Sequence, residues 1–127
     1  MQVTDKVVVV TGAGSGIGRA MSEKFVAEGA KQVVAVDINA ENAQQTANKL
    51  GCVAMTADVS RDADIKRIIE DTEANIGPID LFCGNAGVGM GRSEQSPDQE
   101  WQISWDINVM SHVYAARHLV PRMTERG

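Results

Sequence analysis

Apolar positions along the chain follow two different periods. Four short runs are almost continuously apolar and rich in β-branched residues, which is typical of strands buried on both faces of a parallel sheet. These runs cover residues 7–10, 32–37, 52–56 and 79–83. Between them, apolar residues recur every third or fourth position, which is the spacing of an amphipathic helix. The pattern therefore predicts an α/β protein in which strands and helices alternate.

Residues suited to helix ends mark where the helical segments start and stop. We expect helices over about residues 17–28, 40–50, 61–76 and from 97 almost to the end of the chain. Asn39, Ser60 and Ser96 are candidate N-terminal caps, while Gly29 and Gly51 suit the left-handed conformation that ends many helices. Pro121 predicts a kink or a break in the last segment, because proline cannot donate a backbone hydrogen bond.

The same alternation predicts the order of the strands. Right-handed crossovers between parallel strands give the order 3-2-1-4, which is half of a doubly wound parallel sheet with the three-layer Rossmann architecture. Ligands bind such sheets beyond the carboxyl ends of the strands, where the strand order reverses. Here that point lies between the first and the fourth strand. A chain of 127 residues fits one domain of this kind, expected to cover residues 1–127.

A glycine-rich turn joins the first strand to the first helix. Gly12, Gly16 and Gly18 form the pattern Gly-x-x-x-Gly-x-Gly rather than the more common Gly-x-Gly-x-x-Gly. Glycines at such a turn allow a tight bend, a close approach to a diphosphate and close packing of helix on strand. The unpaired N–H groups and the dipole of a helix N-terminus favour an anion at this place. A purely structural turn in another α/β protein is the alternative interpretation.

Two acidic residues follow the second and the third strand. Asp37 lies about twenty positions after the glycine motif, where a carboxylate can accept hydrogen bonds from an adenosine ribose and repel a 2′-phosphate. Positions 35–40 contain no basic residue, so NAD is favoured over NADP as the cofactor. Asp58 can accept a hydrogen bond from the adenine amino group. Aspartates without a ligand, at a strand end or in a solvated loop, are the alternative for both.

The composition argues against several other classes of protein. The formal net charge is −5 and the basic residues are scattered, so a nucleic-acid-binding surface is not expected. No apolar run is long enough to cross a membrane and the N-terminus lacks a signal-peptide pattern, which favours the cytoplasm. Cys52 and Cys83 are interpreted as small buried hydrophobic residues rather than as a disulfide or a metal pair. His112 and His118 do not share one helix face, so no metal site is predicted.

Taken together, the motifs resemble those of the short-chain dehydrogenase/reductase family, in the same order and over essentially the whole chain. They are the segment 11–18, Asp37, Asp58-Val59, Asn85-Ala86-Gly87 and Asn108-Val109. The resemblance implies a cofactor-binding set made of Gly12, Ser15, Gly16, Ile17, Gly18, Asp37, Asp58, Val59, Asn85, Ala86 and Gly87. Ser15 and Ile17 would line the phosphates, Asp37 would hold the ribose, Asp58 and Val59 would surround adenine, and the last three residues would flank the nicotinamide.

The resemblance also assigns one residue to catalysis and shows two departures from the family. Asn108 resembles the asparagine that distorts the last helix and holds a water of the family's proton relay. Gly84 stands where the family often has a second asparagine, so the turn beside it lacks an amide side chain. Similar enzymes carry a serine and then Tyr-x-x-x-Lys, whose tyrosine is the general acid/base. The only tyrosine here is Tyr114, which His118 follows four positions later, and we interpret it as a helix-packing residue.

These observations lead to one expected function and two alternatives. The resemblance implies NAD-dependent hydride transfer between nicotinamide and a small-molecule secondary alcohol or ketone, with the catalytic serine and tyrosine outside these 127 residues. The Rossmann domain is then incomplete at its C-terminus, and the chain alone should bind NAD weakly and turn over nothing. One alternative is a non-catalytic dinucleotide-binding half-domain that completes its sheet with another chain. The other is a Rossmann protein with a different nucleoside cofactor, such as a methyltransferase.

The last helical segment is more apolar than one sheet face requires. It contains Trp101, Trp105 and Tyr114, three of the five aromatic residues of the chain. We expect the two tryptophans, one helical turn apart, to cover the core. In the family the corresponding helix packs against its mate, so the resemblance implies a homodimer or a homotetramer through this segment.

Overall fold

Residues 2–127, which the computed structural model describes, form one parallel sheet with helices on both faces. The strands are Val7–Thr11 (β1), Gln32–Asp37 (β2), Val53–Thr56 (β3) and Leu81–Cys83 (β4). The helices are Gly16–Ala27 (α1), Ala40–Leu50 (α2), Asp62–Asn75 (α3), Asp98–Trp105 (α4) and Ser111–Arg126 (α5), with a π-helical segment at Asp106–Met110. The strand order β3-β2-β1-β4 confirms the predicted topology. The expected domain start at residue 1 lies outside the described residues.

β1 lies at the centre of the sheet and is buried along its whole length. Val8 pairs with Val33 on β2 and with Leu81 on β4, so β1 is hydrogen-bonded on both sides. Its side chains alternate between two cores, because successive residues of a strand point to opposite faces. Val9 faces one core, whereas Val8 faces the other. The carboxyl end of β1 therefore lies at the point where the strand order reverses, as predicted.

Each face of the sheet is covered by its own helices, which gives the predicted three layers. On one face α3 contributes Ile65, Ile68 and Ile69, all fully buried, and α5 packs beside them. On the other face Met21 and Phe25 of α1 pack against the valines of β1, and α2 contacts β2, β3 and α1. Each fully buried isoleucine contributes about 1.5–3 kcal/mol of hydrophobic stabilisation. These two cores fix the positions of the strand ends that form the site.

Most predicted helix ends are confirmed, but two predicted caps are wrong. Asn39 caps α2 by accepting a hydrogen bond from the Asn42 N–H at 2.9 Å, and Gly29 and Gly51 adopt positive φ values of 82° and 67°. Ser60 does not cap α3, because its hydroxyl donates to Asp58 Oδ1 at 2.6 Å. α3 consequently begins at Asp62, after an Arg61 whose side chain makes no capping bond.

The start of α4 also differs from the prediction. Ser96 does not cap this helix, since its hydroxyl accepts the backbone N–H of Arg92 at 3.0 Å within the preceding loop. The residue before the helix is Pro97, whose extended ψ of 145° leads into a first helical residue at Asp98. Ser96 lies two positions before the first helical residue, and its hydroxyl bonds the loop instead of the helix.

The last helical segment is irregular at Asn108, as the resemblance implies, but not at Pro121, where a kink or a break is predicted. α5 runs through Pro121 without a break, on the solvent-exposed side where water can bond the carbonyl that proline leaves free. The irregularity is the π-helical segment that contains Asn108, where the Ser111 N–H bonds the Asp106 carbonyl five residues back. The Ser111 hydroxyl donates to the Ile107 carbonyl at 2.6 Å, which gives that carbonyl a partner inside the widened turn.

The two tryptophans of α4 do not cover the core, contrary to expectation. Trp101 and Trp105 are 57% and 56% exposed, and α4 has no buried residue. α4 continues directly into the π-helical segment and buries no residue against the sheet, so both rings remain on the outside. Within residues 2–127, none of the helices combines the length and the apolar character that a membrane crossing requires.

Candidate cofactor-binding site

A cleft of about 460 Å³ lies at the carboxyl ends of β1, β2 and β4. This volume is within the range of small-molecule sites, and the cleft lies where the strand order reverses. All eleven residues of the predicted cofactor-binding set line it. Ile38, Ala57, Val88 and Ile107 line it as well and were not predicted. The sequence-predicted residues are therefore brought together in one place.

The glycine turn bends sharply between β1 and α1, as predicted. Gly12 and Gly16 have φ values of 68° and 52°, a conformation that side chains disfavour. Gly18 is required for a different reason, because a Cβ atom there would lie 2.2 Å from the Gly12 carbonyl oxygen. The first turn of α1 thus packs directly on the end of β1, and its first residues line the cleft.

The residues that begin α1 are open to a ligand. Ser15, Gly16 and Ile17 are all exposed, and the Ile17 side chain is 74% exposed. In the described part of the chain, the Ser15 side chain makes no capping bond to the helix. The first N–H groups of a helix lack intrahelical partners and attract anions. This end of the cleft can therefore receive phosphate groups.

Asp37, at the end of β2, is held against the glycine turn. Its Oδ2 accepts the Gly14 N–H at 2.8 Å and its Oδ1 accepts the Asn39 N–H at 3.0 Å. Each carboxylate oxygen has a second lone pair, so both can still accept hydroxyl groups from the cleft. A Cβ atom on Gly14 would lie 2.7 Å from the Asp37 Cγ, so this approach requires glycine.

Asp58 and Val59, which follow β3, line the same cleft. Asp58 Oδ1 accepts the Ser60 N–H at 3.0 Å as well as the Ser60 hydroxyl, which leaves Oδ2 for other partners. Val59 is buried and packs into the core, whereas Ile38 is 69% exposed. Ile38 was missed because a single apolar residue after a strand has no periodic pattern. Its position next to Asp37 is the signal that could have found it.

Thr11 joins the two glycine-containing turns and was not assigned a role from the sequence. Its hydroxyl accepts the N–H groups of Asn85 and Ala86 at 3.0 and 3.1 Å, and donates to the Cys83 carbonyl at 3.3 Å. The Asn85 side-chain amide donates to the Thr11 carbonyl at 3.1 Å. A hydroxyl at the end of an otherwise all-valine strand is the available sequence signal. The walls formed by β1 and β4 are thus fastened together.

The amide side chain missing at Gly84 is replaced by packing from α5. A Cβ atom on Gly84 would lie 2.7 Å from both Cε1 and Nδ1 of His112. The imidazole ring therefore occupies the space that a side chain at position 84 would need. Burial raises the pKa of the neighbouring Cys83 thiol, which keeps it protonated. This agrees with its interpretation as a small hydrophobic residue.

Asn108 lies in the π-helical segment and contacts the loop that follows β4. Its Oδ1 accepts the Val88 N–H at 2.9 Å and its Nδ2 donates to the Val88 carbonyl at 2.8 Å. The side chain is thus fully engaged with the backbone of a residue that lines the cleft. Tyr114 packs against the core with the Arg117 guanidinium 5.4 Å from its ring centre, as expected for a packing residue.

Known proteins resemble this chain in sequence and in structure. Residues 6–127 match the sequence profile of a family described as short chain dehydrogenase. The chain is 36% identical to 1-deoxy-11-beta-hydroxypentalenate dehydrogenase of Streptomyces exfoliatus, covering 100% of this chain and 49% of that protein. It is 30% identical to a short chain dehydrogenase/reductase of Burkholderia phymatum in complex with NAD, with a TM-score of 0.90 and coverage of 95% and 45%.

A second solved structure extends this comparison. The 3-ketoacyl-(acyl-carrier-protein) reductase of Brucella melitensis, complexed with NADH, is 32% identical with a TM-score of 0.88. The match covers 94% of this chain and 50% of that one. The chain spans about half the length of the curated relatives it matches.

Proposed function

Because this chain belongs to the short-chain dehydrogenase family, we propose that it is the cofactor-binding part of an NAD-dependent oxidoreductase. The observation that carries the proposal is the arrangement of the glycine turn and Asp37 around one cleft. The exposed N-terminus of α1 suits a diphosphate, and the Asp37 carboxylate lies against the same turn. The N-terminus of α1 and the end of β2 would thus supply the anion site and the carboxylate that a dinucleotide requires.

The preference for NAD over NADP rests on charge. A carboxylate that accepts both ribose hydroxyls repels a phosphate at the 2′ position. The bonds of Asp37 support this preference, because the carboxylate is anchored by the N–H groups of Gly14 and Asn39 and keeps further lone pairs for a ligand. Ile38 and Val59 supply apolar walls for adenine, with Asp58 Oδ2 available to its amino group. Asn85, Ala86 and Gly87 form the wall proposed for the nicotinamide.

The proposed reaction of the whole protein is hydride transfer with a secondary alcohol or ketone. A bound nicotinamide supplies or accepts the hydride, and the protein contributes positioning and electrostatics. The residues described here bind and orient the two halves of the cofactor. Asn108 is proposed to act on the catalytic side, with its amide fixing Val88 beside the cleft and its segment holding a water of the proton relay. We expect no turnover from the 127 residues alone.

A thermal-shift titration with NAD, NADP and S-adenosylmethionine tests the cofactor proposal. Only a ligand that binds the folded chain raises Tm, by an amount that grows with concentration above Kd. We expect NAD to raise Tm at millimolar concentration, NADP to do so less, and S-adenosylmethionine to have no effect. Asp37→Ser should reduce the NAD shift, whereas Glu41→Gln, an equal change of charge on exposed α2, should not. A larger shift with NADP than with NAD would contradict the proposal.

A non-catalytic half-domain remains the second candidate function. A groove of about 350 Å³ runs beside β4, lined by apolar residues that include Leu81, Phe82, Leu119 and Met123. A strand from another chain could pair along this edge. The intact mass of the native protein, together with its size in solution, separates the two candidates. A longer single polypeptide favours the oxidoreductase.

The partners of the protein are proposed on the same basis. The last helical segment has four large exposed apolar side chains, which are Trp101, Trp105, Val113 and Val120. They support a homodimer or a homotetramer through this segment, within the reducing cytoplasm that two free cysteines favour. Sedimentation should show an oligomer that Val113→Ser with Val120→Ser weakens. An unchanged sedimentation coefficient for this variant would contradict the proposed interface.

A further inference from the structure

A chain of hydrogen bonds leads from α1, through α2, to the carboxylate of Asp37. The Arg19 Nε donates to Thr46 Oγ1 at 3.0 Å, and Thr46 Oγ1 donates to the Ala13 carbonyl at 3.0 Å. The peptide group that contains this carbonyl also contains the Gly14 N–H, which donates to Asp37 Oδ2 at 2.8 Å. Thr46 is 1% exposed, so water does not compete for its hydroxyl.

The direction of each bond in this chain is determined by the chemistry of Arg19. A guanidinium group can only donate, so Thr46 must accept from it. The single hydroxyl hydrogen of Thr46 is then left for the Ala13 carbonyl. Because a peptide group is planar, fixing its carbonyl fixes the direction of its N–H. Arg19 also donates through Nη2 to the Gly14 carbonyl, which holds the next peptide group of the turn.

Asp37 depends on this arrangement for its orientation. One of its oxygens accepts the Gly14 N–H. That N–H points at the carboxylate only while Thr46 holds the Ala13 carbonyl on the other side of the same peptide group. Gly14 is buried, and a Cβ atom there would collide with both Asp37 and Asn42. The turn therefore approaches Asp37 closely, and small rotations of the peptide group would change the direction of the carboxylate.

We propose that Arg19 is a positioning residue for Asp37, acting through Thr46 and the peptide group between Ala13 and Gly14, and that it thereby sets affinity for the adenosine ribose of NAD. The inference rests on the proposed function, since it concerns the same cleft. It assigns Arg19 no contact with the cofactor. Its guanidinium group bonds only other groups of the protein, and it affects the ligand only through the orientation of the Asp37 carboxylate.

Amide hydrogen exchange of the ligand-free chain tests the positioning itself. In Arg19→Met and in Thr46→Val, we expect the Gly14 amide to exchange about tenfold faster relative to the Val9 amide in the core. Lys24→Met removes a positive charge from an exposed position of the same helix and should leave this ratio unchanged. If the ratio of the Gly14 to the Val9 exchange rate is unchanged in both Arg19→Met and Thr46→Val, the proposal is overturned.

Binding of NAD and of its adenosine 2′-deoxy analogue tests the consequence for the ribose. The wild-type chain should prefer NAD, and Arg19→Met should weaken NAD binding about five- to tenfold with little effect on the analogue. Arg19→Lys can reach only one of the two acceptors, so its NAD affinity should lie between those of the wild-type chain and of Arg19→Met. Equal losses for both ligands would indicate a merely structural role and overturn the proposal.

The two measurements separate this inference from the function on which it rests. If the wild-type chain binds neither ligand, the proposed NAD function fails, and the exchange of Gly14 still decides whether Arg19 positions the turn. If Arg19→Met does not fold, Thr46→Val and Arg19→Lys decide, because each removes only part of the chain of hydrogen bonds. Thr46→Val with the wild-type exchange ratio and the wild-type ligand preference would then overturn it.

Discussion

At the scale of single residues, the side chain of His112 occupies space that is free only because residue 84 is a glycine. Gly84 lies in the turn after β4, and the imidazole of His112 packs where its Cβ atom would be. The two residues are far apart in the sequence and meet only because α5 packs across β4. The two residues therefore depend on each other, because the absence of a side chain at Gly84 makes room for the imidazole ring and the ring fills that room.

Gly84→Ala should lower the free energy of unfolding by about 1 kcal/mol, because the new methyl group displaces the imidazole ring. In the His112→Ala background the same change should cost much less. Chemical unfolding of the two single variants and the double variant measures this coupling. Gly89→Ala is the matched control, since no heavy atom lies within 4 Å of a Cβ at that position. Additive effects of the two changes would contradict the proposed contact.

The residues of the site differ in how far the sequence alone could identify them. The positions of Asp37 and Gly12 follow from a strand and a turn, which are local features. Arg19 and Thr46 act through contacts between two helices, and no local pattern indicates which polar residues of α1 and α2 meet. Thr11 could be quoted as part of a motif, but its bonds to the turn after β4 depend on strand pairing.

At the scale of elements, α5 is joined to α3 by ion pairs at both ends of their contact. Near one end, Arg117 Nη1 lies 3.0 Å from Asp62 Oδ1. Near the other, Glu73 bonds Arg126 at 2.8 Å and Arg122 at 3.2 Å, and it also accepts the Ile79 N–H at 3.2 Å. Glu73 thus connects α3, α5 and the segment that leads into β4. These contacts orient the helix that supports one wall of the cleft.

The stability of the chain should fall in acid through Glu73. Burial alone raises the pKa of Glu73, but the Ile79 N–H and the two arginines outweigh it and hold that pKa below its ordinary value. A carboxyl whose pKa is lowered by folding stabilises the folded state above its unfolded-state pKa, and this contribution is lost as the pH falls through the folded-state value. Stability should therefore decrease below about pH 4.

Glu73→Gln should lower the free energy of unfolding at pH 7 by about 1–2 kcal/mol and should flatten its decrease in acid. Denaturant unfolding at a series of pH values measures both effects. Glu125→Gln, on the exposed side of α5, removes the same charge and should change neither. A Glu73→Gln variant with the wild-type pH dependence would show that this carboxylate does not carry the acid sensitivity.

The π-helical segment has its own effect on the loop after β4. Asn108→Ala removes both hydrogen bonds to the Val88 backbone, so the Val88 amide should exchange about tenfold faster. NAD affinity should fall as well if this loop flanks the nicotinamide as proposed. Asn48→Ala, at an exposed position of α2, serves as the control and should alter neither measurement. Full protection of Val88 in Asn108→Ala would rule out this role.

At the scale of the whole molecule, the strand order and the three layers could be predicted almost completely. The valine run of β1 identifies a central strand, and the handedness of the crossovers then leaves one order of strands. The details that could not be predicted concern how elements end. Ser60 and Ser96 bond their own loops instead of the helices, and α5 continues through Pro121 without the predicted break. For both serines, a hydrogen bond within the preceding loop replaces the capping bond that the sequence pattern favours.

The central position of β1 has a consequence for the way the protein folds. Val8 must find Val33 on one side and Leu81 on the other, about three times as far along the chain. Closing the longer loop costs about 1 kcal/mol more in chain entropy. We therefore expect the β1–β2 pair to form first, and pulse-labelled exchange should protect Val34 before Phe82. The half of the cleft proposed for the adenosine would then exist early on the folding pathway, and the wall proposed for the nicotinamide would form last.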